Sequence, residues 1–96
     1  MITNVYPKVV LAYSEESYIV QCSSDCSSGE IQIARDCSSL TTGVLIDMNN
    51  LSAEIVVGGP GNDYTLCYKP SSGDKFIDQK VHISVSRSNS SLKFTF

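Results

Sequence analysis

The chain is a succession of short runs rich in β-branched and aromatic residues, each ended by serine, glycine, asparagine, aspartate or proline. Two runs, 63–69 and 80–87, alternate apolar and polar residues with the period of a strand that is half buried. No segment repeats apolar residues at the spacing of an amphipathic helix. The pattern predicts strands near residues 2–13, 17–22, 30–35, 43–48, 53–57, 63–69, 80–87 and 91–96.

Turn signals separate these strands, above all at 58–62 and 70–74, where glycine and proline cluster with asparagine, serine or aspartate. Strands at this spacing predict an all-β fold, a two-sheet antiparallel sandwich of seven or eight strands, with a small barrel as the alternative. A length of 96 residues suits one modest core, so residues 1–96 are expected to form a single domain. The strand-like final segment suits a module of a longer protein.

Cys22 closes the second predicted strand, and Cys67 lies in a late segment, Asp63-Tyr-Thr-Leu-Cys67. This arrangement resembles an immunoglobulin-like module, and the resemblance implies a two-sheet sandwich that serves in adhesion or protein recognition. The chain has no tryptophan, and Tyr64 lies three residues before Cys67, where the family's corner tyrosine lies two before its cysteine. Because Cys67 lies on the face opposite to Tyr64, Leu66 and Tyr68, a core bridge from Cys22 to Cys67 would require either a β-bulge or the polar face of Thr65 and Lys69 turned inward.

Cysteine positions restrict the disulfides further. Cys-Ser-Ser triplets begin at Cys22, Cys26 and Cys37, and Cys67 stands alone downstream. If 30–35 is a strand, Cys26 and Cys37 lie beyond its opposite ends, over ~20 Å apart, whereas a bridge requires Cα atoms within ~7 Å. Cys67 is therefore expected to pair with Cys22 or Cys26 and to leave Cys37 free, unless 30–35 is bent and allows two bridges.

The cysteines and two glycosylation sequons, which begin at Asn50 and Asn89, favour an extracellular or cell-surface glycoprotein. A cytoplasmic or cytoskeletal location is the alternative.

Composition and motifs argue against several functions. The net charge is −3 and the seven cations are scattered, which argues against nucleic-acid binding. No apolar run is long enough for the domain to insert into a membrane. The only histidine, His82, lies on the polar face of a strand, and the cysteine spacing does not favour zinc. Aspartates at turns favour backbone hydrogen bonds over calcium binding. We therefore expect no enzyme, no catalytic residue, no metal and no cofactor.

The loop around 69–76 is the best candidate for contact with a partner. Lys69, Lys75 and Phe76 combine charge and an aromatic ring beside a glycine turn, as recognition loops do. Phe76 could equally begin the next strand and be buried. The predicted function is a non-catalytic module for adhesion or protein recognition, which contacts a protein partner or a second copy. The alternative is an intracellular structural or scaffold domain that assembles through an exposed edge strand such as 92–96.

Overall fold

The computed structural model describes residues 1–24, 26 and 28–87, and within them the chain is all-β with no α-helix. Short alternating segments give the eight strands, because each places one row of apolar side chains on a common face. The strands are β1 (Ile2–Tyr6), β2 (Val9–Leu11), β3 (Glu15–Cys22), β4 (Glu30–Ala34), β5 (Val44–Leu45), β6 (Ser52–Val56), β7 (Gly61–Lys69) and β8 (Ile77–Ser86). A single 3-10 turn, Cys37–Ser39, follows β4. The predicted strand at 91–96 and the sequon at Asn89 lie outside the described residues.

The strands form two sheets, one of three strands in the order β1-β3-β6 and one of five in the order β2-β8-β7-β4-β5. The predicted strand at 2–13 is two strands, because the chain leaves the first sheet after Tyr6, passes the cis Tyr6–Pro7 bond and joins the second sheet as β2. β2 pairs in parallel with β8, so the prediction of purely antiparallel pairing is wrong at this edge.

Both sheets contribute inward side chains to one core. Tyr18 and Val20 from β3 meet residues such as Leu66 of β7 and Ile83 of β8, all buried. The apolar residues of the alternating pattern predicted for β7 and β8 thus point toward this core. Burial, with a smaller contribution from Glu16, raises the pKa of the Tyr18 hydroxyl to about 12, so that this group stays neutral.

A second, smaller cluster covers the outer face of the five-stranded sheet, the face turned away from the three-stranded sheet. It consists of Cys37, Cys67 and Phe76, with Ala34 and Leu40 packed beside them. Because this cluster lies over β7 on one side and the main core on the other, residues 64–68 are all buried.

Candidate interaction surface

Two disulfides join the four cysteines, Cys22 to Cys26 and Cys37 to Cys67, and none is free. The prediction that Cys67 pairs with Cys22 or Cys26 and leaves Cys37 free is therefore wrong. The strand β4 does lie between Cys26 and Cys37 in the chain, as expected. The error lay in overlooking that Cys22 and Cys26, four residues apart, could pair locally, with Cα atoms 6.2 Å apart.

Cys37 reaches Cys67 because the chain folds back over the outer face as soon as β4 ends. Gln32 is in register with Cys67, so the residues after β4 need only turn across the sheet to meet it. The two Cα atoms lie 5.6 Å apart, within the usual range for a bridge. The outward direction of Cys67, which the alternation predicts, makes its side chain available to Cys37.

Asp36 caps the 3-10 turn that carries Cys37. Its Oδ1 accepts hydrogen bonds from the Ser38 backbone N–H at 3.0 Å and from the Ser38 hydroxyl at 2.7 Å. These bonds favour the ionised carboxylate and hold the pKa of Asp36 below its ordinary value. The Asp-Cys-Ser-Ser motif at 36–39 is thus a capped turn that orients a disulfide.

The three residues predicted to contact a partner lie near one another but differ in exposure. Phe76 is 7% exposed and packs in the small cluster with Cys37 and Cys67, so its burial is the alternative that holds. Lys69 is half buried, with its Nζ 3.4 Å from Glu30 Oε2 and 5.6 Å from the centre of the Phe76 ring. Lys75 alone of the three is well exposed. Their role in binding stays a prediction.

Lys75 borders a shallow cleft that we call the outer-face cleft, defined by Asp36, Ser38, Lys75, Ile77 and Asp78. A cavity of about 390 Å³ lies between the 3-10 turn and the start of β8, with the disulfide and Phe76 at its base. Two cations, Arg35 and Lys75, and two carboxylates line this cleft, and Ile77, which pairs with Tyr68 of β7, borders it with 47% of its surface exposed. In the sequence, Asp36 and Asp78 stood out only among the aspartates weighed as calcium ligands, and no pattern pointed to Ile77, because the disulfide and the strand register bring the three together.

Asp78 is fixed by two hydrogen bonds. The Thr65 hydroxyl donates to Asp78 Oδ1 at 2.6 Å, and the Lys80 backbone N–H donates to the same oxygen at 2.7 Å. The bond from Thr65, followed by the bond from Lys80, lowers the pKa of Asp78. One wall of the cleft therefore carries a positioned negative charge.

Arg35 stabilises the end of the molecule where β6 turns into β7. Its Nε donates to Asp63 Oδ1 at 2.8 Å, its Nη2 donates to the Pro60 carbonyl at 3.0 Å, and its guanidinium lies 4.4 Å from the centre of the Tyr64 ring. The hydrogen bond between Arg35 and Asp63 lowers the pKa of the carboxyl and raises that of the guanidinium. With its Nε and one Nη2 donor engaged inside the chain, Arg35 has a structural role at this end of the molecule.

The other candidate sites are separate surface features. Among the described residues, no three histidine, cysteine, aspartate or glutamate side chains are placed to hold a metal ion. His82 is exposed in β8, opposite Thr65 of β7. Asp47 accepts a hydrogen bond at 2.8 Å from the backbone N–H of Asn49, in an exposed turn that also carries Asn50.

No helix in the described part of the chain is long and apolar enough to cross a membrane. Comparison of the sequence and fold with protein-family models, curated proteins and solved structures found no match. The function must therefore be inferred from the surfaces of the molecule itself.

Proposed function

We propose that this chain is a non-catalytic protein-recognition or adhesion module of a cell-surface or secreted protein, with an immunoglobulin-like sandwich fold. The observation that carries the proposal is the outer-face cleft, in which charged side chains and the exposed apolar residue Ile77 border a base anchored by a disulfide. The contact would be with a protein partner or a second copy of the chain.

Strand order and one hydrogen bond support the immunoglobulin-like fold. The chain begins in one sheet and crosses to pair in parallel with the last described strand of the other, around a core shared by both sheets. The Tyr64 hydroxyl donates to the Gly59 carbonyl at 2.9 Å, which is the contact that a corner tyrosine makes. Leu66, two residues later and fully buried, would then occupy the position of the family's core cysteine.

Two disulfides support a location outside the cytosol, because oxidising compartments form and preserve such bonds. Asn50 lies exposed in the turn before β6, where a glycan could be attached. The intracellular alternative was assembly through an exposed edge strand, and its example, 92–96, lies outside the described residues; both disulfides weigh against an intracellular location.

The make-up of the outer-face cleft supports recognition of protein. Asp36 and Asp78 are held by hydrogen bonds and Phe76 by packing, so a partner would order few side chains on binding. Lys75 adds a cation at the rim, and Ile77 adds apolar area that binding would remove from water. A partner with an apolar anchor and both signs of charge fits this surface.

Paired substitutions test the proposal. We expect a multimerised form of the domain to bind cells of its source organism or beads coated with the domain itself, and Ile77→Lys to weaken this binding about tenfold or more. The matched control is Val9→Lys, because Val9 is a 68% exposed aliphatic residue in another strand of the same sheet. Flow cytometry and bead aggregation measure both variants. Absence of binding by the wild type, or equal binding by Ile77→Lys and the wild type, would contradict the proposal.

A further inference from the structure

β6 has an uncovered backbone edge. Val20 N–H donates to the Leu51 carbonyl at 2.9 Å, and Asp47 N–H donates to the Ser52 carbonyl at 2.8 Å on the opposite side. Because backbone groups alternate in direction along a strand, Ala53 and Ile55 face β3, whereas Glu54 and Val56 face away from it. β6 is the last strand of its sheet, so the N–H and C=O groups of Glu54 and Val56 have no strand beside them in the described chain.

Space for an additional strand lies along this edge. A cavity of about 550 Å³, lined by residues such as Val44 and Glu54, runs beside the first half of β6. A second cavity of about 460 Å³, lined by residues such as Ile33 and Val56, runs beside its last half. The gap exists because β5 ends after two residues and leaves the rest of β4 uncovered as well.

The two uncovered edges differ in what their backbone groups can bind. On the β4 side, Ile33 N–H is already bonded to the Gln32 side-chain Oε1 at 3.0 Å. No such side-chain bond reaches Glu54 or Val56 within the described residues. Val56 also leaves 53% of its surface exposed. β6, rather than β4, is therefore the edge ready to accept a strand.

The surroundings of the β6 edge are acidic along its first half, whereas Arg35 and Asp36 line the cavity beside its last half. Glu15, Asp47 and Glu54 line the first cavity together with serine and asparagine side chains, and no cation of the described chain lines it. The two ion pairs of the described chain join Arg35 to Asp63 and Lys69 to Glu30, so neither neutralises these carboxylates. On the outward face of the sheet, Glu54 lies opposite Ser17, and Glu15 opposite Val56.

We propose that the edge of β6 binds an extended, basic segment of a partner protein as a fourth strand of the three-stranded sheet. The backbone of that segment pairs with Glu54 and Val56, as in other complexes formed by strand addition. Every second side chain of the segment lies on the outward face next to Glu54, with Glu15 one strand further across the sheet, and a lysine or arginine beside Glu54 forms a favourable cross-strand pair. The intervening side chains face the gap beside Val44.

This site is independent of the outer-face cleft, which lies on the other sheet. Failure of the strand-addition site would leave the proposed recognition function standing, and the reverse also holds.

The probe for the test is a heptapeptide of alternating valine and lysine, titrated into the full chain and followed by NMR. We expect the NMR signals of the Ser52–Val56 amides to shift along a saturable binding isotherm. The affinity for the peptide should fall as salt is added. A valine–glutamate heptapeptide of the same length should bind at least tenfold more weakly. Glu54→Lys should weaken binding of the lysine peptide at least tenfold. Asp74→Lys, which makes the same change of charge in a distant exposed loop, should leave the affinity unchanged.

Two further measurements separate strand pairing from simple charge attraction. A lysine peptide with alternate amides N-methylated keeps its charge but cannot pair, so it should bind at least tenfold more weakly. Val56→Pro removes an N–H that makes no bond to β3, and it should abolish peptide binding while the circular dichroism spectrum is retained. Binding of the methylated peptide, or of Val56→Pro, at wild-type strength would overturn the proposal. So would self-association through this edge in place of peptide binding.

Discussion

Asp78 links β7 and β8 through one carboxylate oxygen. Thr65, which is 5% exposed, donates its hydroxyl to this oxygen. The Lys80 backbone N–H donates to it as well, and Lys80 has a φ of 59°, in the left-handed region. A lysine in that conformation costs about 1 kcal/mol or more, so the bond to Asp78 helps to hold β8 in its irregular course beside β7.

This arrangement predicts a pH dependence of stability. Because the folded state lowers the pKa of Asp78, its ionised form stabilises the fold above its ordinary value of 3.8, and that contribution is lost as the pH falls through the folded pKa. Asp78→Asn should therefore be less stable than the wild type near neutral pH, and its unfolding free energy should fall less between about pH 4 and about pH 2. Urea unfolding across that range measures both.

The control for Asp78 is Asp74→Asn, since Asp74 is exposed and makes no side-chain hydrogen bond to the described residues. It should reproduce the wild-type profile. Parallel profiles for wild type and Asp78→Asn would show that the contacts with Thr65 and Lys80 contribute nothing to the pH dependence.

At the level of elements, the two disulfides constrain the chain to different extents. The Cys37–Cys67 bridge ties the 3-10 turn to β7 across 30 residues, whereas the Cys22–Cys26 bridge closes a loop of four. Since the entropy that a bridge removes from the unfolded chain grows with the loop it closes, the longer loop gives more stabilisation.

Alanine at both cysteines of one bridge should therefore lower the unfolding free energy by about 4 kcal/mol for Cys37–Cys67 and about 2 kcal/mol for Cys22–Cys26. Cys67 and Cys26 are both almost fully buried, so the loss of packing is similar in the two variants. Denaturant unfolding under non-reducing conditions compares them. An equal loss, or a larger loss for the short loop, would contradict the ranking.

Sequence alternation located most strands, because their side chains meet the core on one face only. The predictions at 17–22, 30–35, 53–57 and 63–69 all coincide closely with β3, β4, β6 and β7. β8 begins three residues earlier than predicted, at Ile77, because the irregular pairing near Lys80 interrupts the alternation.

Features that depend on distant partners could not be read from the sequence. β5 shrank from the predicted 43–48 to Val44–Leu45, because it pairs only with the first residues of β4. The Cys37–Cys67 pair was missed for the same reason, since it depends on where the chain goes after β4, whereas the Cys22–Cys26 pair is local. Lys75 was predicted to contact a partner because it lies beside a turn that the sequence reveals. Ile77 borders the outer-face cleft only because the fold brings the start of β8 next to the 3-10 turn.

For the whole molecule, the oxidation state of the four cysteines indicates the compartment in which the protein resides. Protein isolated from its own source should gain four hydrogens on reduction, two for each of its two bridges, and it should then accept four alkyl groups. Intact mass spectrometry before and after reduction measures this directly. Four thiols that alkylate in the native, unreduced protein would instead indicate a reducing compartment and contradict the extracellular assignment.

The double covering of β7, between the main core and the small cluster of Cys37, Cys67 and Phe76, has a consequence for motion. Local opening requires least free energy where backbone edges are exposed and most where both faces of a strand are packed. β5 and β6 can therefore fluctuate while residues 64–68 stay closed. A partner strand could therefore bind to or dissociate from β6 without opening the centre of the molecule. The strand that exchanges partners and the strand that maintains the fold are different strands of one small domain.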